Sequence, residues 1–196
     1  MFPANNLEKY FNELNEQNWT LIPIDPAFAS KLQNSAESKL NDNKFKTGNI
    51  SQSELPDTTI RSDSTFWLDA KSDSLNNTDN SVLFNLDLLS AALKSYFRIS
   101  LTKIECHYAA YQPGNFYKKH CDCTQQNNQR IFSFIIYLNS FWKDQDGGQL
   151  IAYENEKVLF KINPEIGQMI LFKSEIEHEV LVTERTRLSL AGWVRK

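Results

Sequence analysis

After Ser100 the apolar pattern of the chain changes from a helical period to an alternation of two, and it keeps that alternation to the end. Eight segments carry it: "TKIECHYAAY", "YKKHCDC", "RIFSFIIYLN", "GQLIAY", "KVLFKI", "GQMILF", "HEVLVT" and "TRLSLAGWVRK". Turn signals such as "KDQDGG" and "NPEIG" separate them. Eight short strands in about a hundred residues predict a jelly roll or a similar barrel. Helices written ahead of such strands are expected to pack on the outside of one sheet, an α+β arrangement.

The first hundred residues supply those helices. Leu7, Tyr10, Phe11 and Leu14 fall at i, i+3, i+4 and i+7, the apolar stripe of a short helix, and "WTLIPI" follows as a strand. Asp25 and Pro26 read as an N-cap and a first helical position. Phe28, Leu32, Ala36 and Leu40 line one face of the helix they start. Residues 41–59 read as a long mobile loop, "STFWLDA" as a strand and "KSDSLNNTDNS" as a polar connection. Leu86, Leu89, Leu93 and Phe97 mark a third helix. No internal repeat appears, so the expectation is one domain over 1–196. Residues 1–100 form its helical and strand support, and 101–196 its barrel core.

Alternation also assigns faces. Phe132, Phe134, Ile136 and Leu138 share a face suited to lying under helices, while Ser133, Ile135 and Tyr137 share the other. In the last segment Leu188, Leu190 and Val194 point one way; Arg187, Ser189, Ala191 and Trp193 point the other. A face mixing Arg, Ser, Ala, Tyr and Trp is too polar for a plain core and reads as the lining of a pocket.

Into that pocket the sequence can deliver a metal site. In "YQPGNFYKKHCDC", His120 and Asp122 stand two apart, so on a strand they project together. His178 heads a later strand. Two imidazoles and one carboxylate make the facial triad of non-haem Fe(II) oxygenases, which leaves positions open for substrate and oxygen. Cys121 and Cys123 point to the opposite face, where a Cys-x-Cys zinc site is the less economical alternative. Arg187, nine residues beyond His178, offers a planar charged fork for the far end of a carboxylate cosubstrate. Tyr137 shares its phase and can reach the same carboxylate. Tyr111 and Tyr117 bracket the turn before the ligand strand, either as aromatic packing or as cosubstrate contacts. Gly147 and Gly148 read as turn residues only, and His107, with no comparable partners, as a packed or surface histidine.

"YQPGNFYKKHCD", "FIIYLNSFW", "DGGQL" and "HEVLVTERTRLSLAGW" resemble the 2-oxoglutarate- and Fe(II)-dependent prolyl 4-hydroxylases, most of all the oxygen-sensing prolyl hydroxylase domain subgroup and its bacterial relatives. The resemblance implies a double-stranded β-helix, the cupin-like jelly roll. It implies Fe(II) held by His120, Asp122 and His178, and 2-oxoglutarate held by Arg187, Tyr137 and Tyr111. O2 would be the second cosubstrate and ascorbate a candidate reductant. The cosubstrate would decarboxylate to succinate as a C–H bond is hydroxylated. "IRSD" resembles the family segment after a loop that closes over a peptide, which makes Arg61 and Asp63 substrate-side candidates. The alternative for that pair is an exposed ion pair. Trp193 and Tyr117 are further candidates on the same side. A proline in a translation factor, elongation factor Tu, is a target suggested by analogy. Collagen-type relatives carry lysine at the position of Arg187, which favours the oxygen-sensing subgroup.

Composition excludes other classes. Net charge is −3 with no basic block, which argues against a nucleic-acid partner. No apolar run reaches the ~20 residues of a membrane helix. The first residues lack a signal-peptide layout, and three cysteines suit a reducing cytoplasm. Oligomeric state has no signature. Beside prolyl hydroxylation stand three other readings: a hydroxylase of a free amino acid or other small molecule, a non-catalytic ligand-binding barrel, and a nucleic-acid demethylase. The long loop favours a peptide substrate.

Overall fold

The computed structural model describes residues 1–2, 7–48, 57–69, 74–123 and 128–196. Three helices lie among them: α1 (Leu7–Gln17), α2 (Pro26–Asn41) and α3 (Asn77–Phe97). The strands before the barrel are β1 (Trp19–Pro23), β2 (Lys46–Thr47) and β3 (Ser64–Trp67). The barrel strands are β4 (Lys103–Tyr111), β5 (Tyr117–His120), β6 (Arg130–Tyr137), β7 (Leu150–Glu154), β8 (Lys157–Ile162), β9 (Gln168–Lys173), β10 (Glu177–Val180) and β11 (Arg187–Arg195). No helix is long and apolar enough to cross a membrane.

The helices begin where local chemistry starts them. Asp25 accepts a hydrogen bond from the Phe28 N–H at 2.8 Å, with Pro26 opening α2. Asn76 and Asp79 form a reciprocal capping box at 3.0 and 2.9 Å, so α3 starts inside the stretch expected to be a connection. The sequence signal, Asn-x-x-Asp, was there to be read. Helix α1 buries Phe11 and Leu14 as its stripe requires. Helix α2 is rotated from expectation: it buries Ala29, Leu32, Ser35, Ala36 and Lys39, while Phe28 and Leu40 are only partly covered. The cause is electrostatic. Lys39 Nζ lies 2.6 Å from Asp79 Oδ2, and Ser35 and Tyr108 donate to Oδ1 at 2.8 and 2.9 Å. Burial works against the ionised Asp79, yet the bonds from Lys39, the Asn76 backbone, Ser35 and Tyr108 hold its pKa below the usual carboxylate value.

Two antiparallel sheets face each other. The seven-stranded sheet runs β1-β9-β6-β11-β4-β3-β2 and the four-stranded sheet β5-β10-β7-β8. From β4 to β11 the chain passes between the sheets in the order of a double-stranded β-helix, staying in the smaller one from β7 to β8, with four strands in each. The assigned faces hold. Phe132, Phe134, Ile136, Leu138, Leu188, Leu190 and Val194 join one core with Leu86, Leu89 and Leu93 of α3. Each such fully buried Leu contributes about 1.5–3 kcal/mol. Ser133, Ile135, Arg187, Ser189, Ala191 and Trp193 line a cavity between the sheets. Gly192, on the helix side of β11, has no side chain because a Cβ there would run into Cys106 and Phe134.

Two expectations change. The strand drawn from Tyr117 to Cys123 ends at His120, and Asp122 lies in a bend. The bend is held by the Cys123 N–H donating to the Ser174 carbonyl at 2.9 Å. Within the loop drawn over 41–59, Lys46–Thr47 pairs with Thr65 and Ser64 of β3. Residues 49–56 of that loop lie outside the described residues.

Candidate active site

His120 ends β5 and His178 sits in β10, directly paired across the four-stranded sheet. The bend after β5 then turns the Asp122 carboxylate between them. His120 Nε2 lies 3.8 Å from Oδ1 and His178 Nε2 3.5 Å from Oδ2. One potential ligand atom from each of the three residues lies within 4.8 Å of the others. Donors this close can converge on one ion about 2.1 Å from each with small side-chain adjustments. The other ring nitrogens are already committed. His120 Nδ1 is 2.7 Å from the Lys118 carbonyl and His178 Nδ1 2.9 Å from that of Ile176. Those contacts place the N–H at Nδ1 and leave both Nε2 lone pairs free.

Neighbours fix these groups further. The Tyr117 ring stacks on His120 at 3.6 Å and 12°, and Phe172 meets His178 edge-on at 4.9 Å. Ser133 donates to Asp122 Oδ2 at 2.7 Å and contacts Ser174 Oγ at 2.9 Å. Burial lowers the His120 pKa to about 3, with the nearby His178 adding to it, so the ring is neutral as a metal ligand must be. Burial pushes Asp122 up, but His178, His120 and the Ser133 hydroxyl outweigh that and keep it below the ordinary carboxylate range.

The opposite end of the cavity is built around a buried cation. Arg187 is 1% exposed. Its Nε donates to the Gly148 carbonyl at 2.9 Å and its Nη1 to Ser189 Oγ at 3.2 Å. Its guanidinium lies 4.9 Å from the centre of the Tyr111 ring and 5.6 Å from that of Tyr137. Nη2 and the Tyr137 hydroxyl have no partner among the described residues. A buried guanidinium with free donors beside a free hydroxyl calls for an anion with two acceptor oxygens. Gly148 therefore does more than turn the chain. Its φ is +65°, its carbonyl aims Arg187, and a Cβ on it would come within 3.0 Å of Arg187 Cδ.

The remaining candidates divide. Arg61 lines the cavity, and its Nε and Nη2 reach the Asp63 carboxylate at 2.6 and 2.9 Å. The pair is buried, not an exposed ion pair. Asp63 is fully covered and acts on Arg61, while Arg61 lies 4.8 Å from the Tyr117 ring centre. Trp193 lines the cavity beside His107, which sequence reasoning set aside. The Arg130 guanidinium stacks 3.5 Å from the Trp193 ring centre. Reading missed His107, Arg130 and the role of Ser133. The phase of Ser133 was legible, but its bond to Asp122 depends on where the bend falls. Cys121 and Cys123 are unpaired thiols.

Comparison with known proteins gives a consistent picture. The model of the 2OG-Fe(II) oxygenase superfamily matches residues 106–195. The crystal structure of a Pseudomonas putida prolyl-4-hydroxylase superposes with a TM-score of 0.87 at 28% identity, covering 97% of this chain and 99% of that one. A Trichoplax adhaerens prolyl hydroxylase, solved with a hypoxia inducible factor oxygen degradation domain peptide fragment, gives 0.82 at 24%, covering 96% and 88%. A Phytophthora capsici prolyl 4-hydroxylase shares the fold at 0.77 and 19%, covering 96% of this chain and 62% of that one.

Proposed function

We propose that this chain, whose residues 106–195 match the 2OG-Fe(II) oxygenase superfamily and which resembles the Pseudomonas putida prolyl-4-hydroxylase over its length, is a 2-oxoglutarate- and Fe(II)-dependent dioxygenase that hydroxylates a prolyl residue of a peptide or protein. One observation carries the reading of the site. Arg187, whose buried Nη2 has no partner among the described residues, lines one cavity with three metal-type donors, and its guanidinium lies 5.6 Å from the ring of Tyr137, whose buried hydroxyl also has no partner among those residues. In this reading His120, Asp122 and His178 hold Fe(II) through Nε2, a carboxylate oxygen and Nε2. Arg187 and Tyr137 hold the distal carboxylate of 2-oxoglutarate, with Tyr111 supporting the guanidinium. When bound, iron with 2-oxoglutarate and O2 supplies the oxidation: one oxygen atom enters the substrate C–H bond, the other enters succinate, and CO2 leaves.

The chain's own residues do the positioning. The Lys118 and Ile176 carbonyls keep both imidazoles in one tautomer, and Ser133 keeps Asp122 turned inward. Apolar walls of Ile135, Leu150, Phe172 and Val180 keep bulk water from the reacting atoms. Arg61, Tyr117 and Trp193 frame the substrate side, Asp63 acting through Arg61. The peptide preference draws on the relative solved with a peptide fragment. Elongation factor Tu is one candidate target, by analogy alone, and ascorbate a candidate reductant. The three free thiols suit a cytoplasmic site of action.

The test is mass spectrometry of proteins from cells carrying the wild-type chain or Asp122→Ala. The reading expects a proline heavier by one oxygen only with wild type. Oxidation confined to a free amino acid or other small molecule would replace it.

A further inference from the structure

Among the described residues, four buried side-chain polar atoms lack a hydrogen-bond partner: Tyr137 OH, Arg187 Nη2, His107 Nδ1 and Arg130 Nε. The first two lie together, the Arg187 guanidinium lining the cavity 5.6 Å from the Tyr137 ring centre. The other two lie against Trp193, whose ring centre is 5.6 Å from that of His107 and 3.5 Å from the Arg130 guanidinium. His107 lines the cavity and is 3% exposed. Half-exposed Trp67 covers its outer side, with ring centres 4.7 Å apart.

The cosubstrate does not account for His107. Across the β4–β11 ladder Tyr111 pairs with Arg187, Ala109 with Ser189, and His107 with Ala191. His107 therefore sits four residues from Tyr111 along one strand, roughly 13 Å. A five-carbon dicarboxylate spans only about 6 Å. Leaving a buried imidazole nitrogen unpaired is costly, so a ring kept there needs a ligand of its own. Its surroundings say which. Full burial, with Arg61 and Arg130 nearby outweighing the opposing Asp122 carboxylate, drives the imidazole to about pKa 3, so it is neutral. Two arginines beside it favour a partner atom of partial negative charge.

We propose that His107 is a specificity-determining residue that donates a hydrogen bond from Nδ1 to a backbone carbonyl of the bound peptide beside the target proline. Trp67 and Trp193 flank the imidazole, their ring centres 4.7 and 5.6 Å from it, and the neighbouring side chain of the peptide rests on them. The inference deepens the peptide reading above and rests on it.

The experiment offers the wild-type enzyme, loaded with Fe(II) and 2-oxoglutarate, a library of proline-centred peptides with randomised flanks. The best-selected peptide then goes to His107→Phe, which removes the donor, and to His107→Asn, whose amide stands where Nδ1 stands. His107→Phe is expected to lower kcat/KM for that peptide about ten- to hundredfold and to weaken its Kd, read by tryptophan fluorescence, to a similar degree. The KM for 2-oxoglutarate should stay within twofold, and His107→Asn should recover most of the loss. Should His107→Phe fail to fold, His107→Ala against His107→Asn makes the same comparison. Equal peptide kinetics in wild type and His107→Phe, or no recovery with His107→Asn, would leave His107 a packing residue and the prolyl reading intact. A wild-type enzyme that oxidises a small molecule but no library peptide would overturn both.

Discussion

Arg187 is a single side chain whose three nitrogens have three different fates: one on a carbonyl, one on a hydroxyl, one without a partner among the described residues. Replacing it with alanine removes the charged fork, and the apparent KM for 2-oxoglutarate is expected to rise about ten- to hundredfold. Steady-state kinetics checks this, and an unchanged KM would put the clamp elsewhere. Ser133→Ala frees the Asp122 carboxylate to turn, which should weaken Fe(II) affinity by about 10–100-fold, measured by metal titration under anaerobic conditions. The residues proposed to carry the chemistry were legible as text. His-x-Asp, a distal His and an Arg nine further on need only spacing and phase. His107 and Arg130 were not, because what matters in them is a missing partner. Sequence shows residue types; only packing shows which polar atom goes without a bond.

Strands β6 and β11 carry most of the cavity wall that the larger sheet supplies, and their ends are tied by one residue. Asn139 accepts from the Leu188 N–H at 2.6 Å and donates to the carbonyls of Leu188 and Pro164 at 2.9 and 2.7 Å. Asn139→Ala leaves buried backbone groups unpaired beside Arg187 and is expected to cost about 2–4 kcal/mol in urea unfolding; a loss under 0.5 would show that water replaces the amide. At this scale the sequence was most readable where alternation was long. In β6 and β11 every assigned face was correct, because a period of two cannot be shifted by one without exposing the core. Reading failed at β5, whose four residues are too few to show where the strand stops. On α2 it failed because Ser35 and Lys39 face inward to a partner on another helix.

The whole molecule joins a helical layer to the back of the larger sheet, and the Lys39–Asp79 pair lies in that seam. Lys39→Met leaves Asp79 buried and unpaired, so a loss of about 3–5 kcal/mol is expected, with cosubstrate KM unchanged in the protein that stays folded. Acid should weaken the fold through His107. Its pKa is pushed down to about 3 from an ordinary 6.5, so between those values the unfolded chain binds a proton that the folded chain refuses. Stability then falls as pH drops through that window, by at most about 1.4 kcal/mol per pH unit for this group. Urea unfolding of the metal-free protein across pH 6.5 to 4 should therefore show a shallower decline for His107→Phe than for wild type; parallel curves would contradict it. The fold class was readable at this scale from the switch at Ser100. The seam was not, since its partners lie far apart in the chain. Everything functional rests on one cluster of donors. Anaerobic titration with Fe(II) tests it directly: one ion per wild-type chain and none tightly held by Asp122→Ala is the predicted result, and equal binding by both would contradict the site.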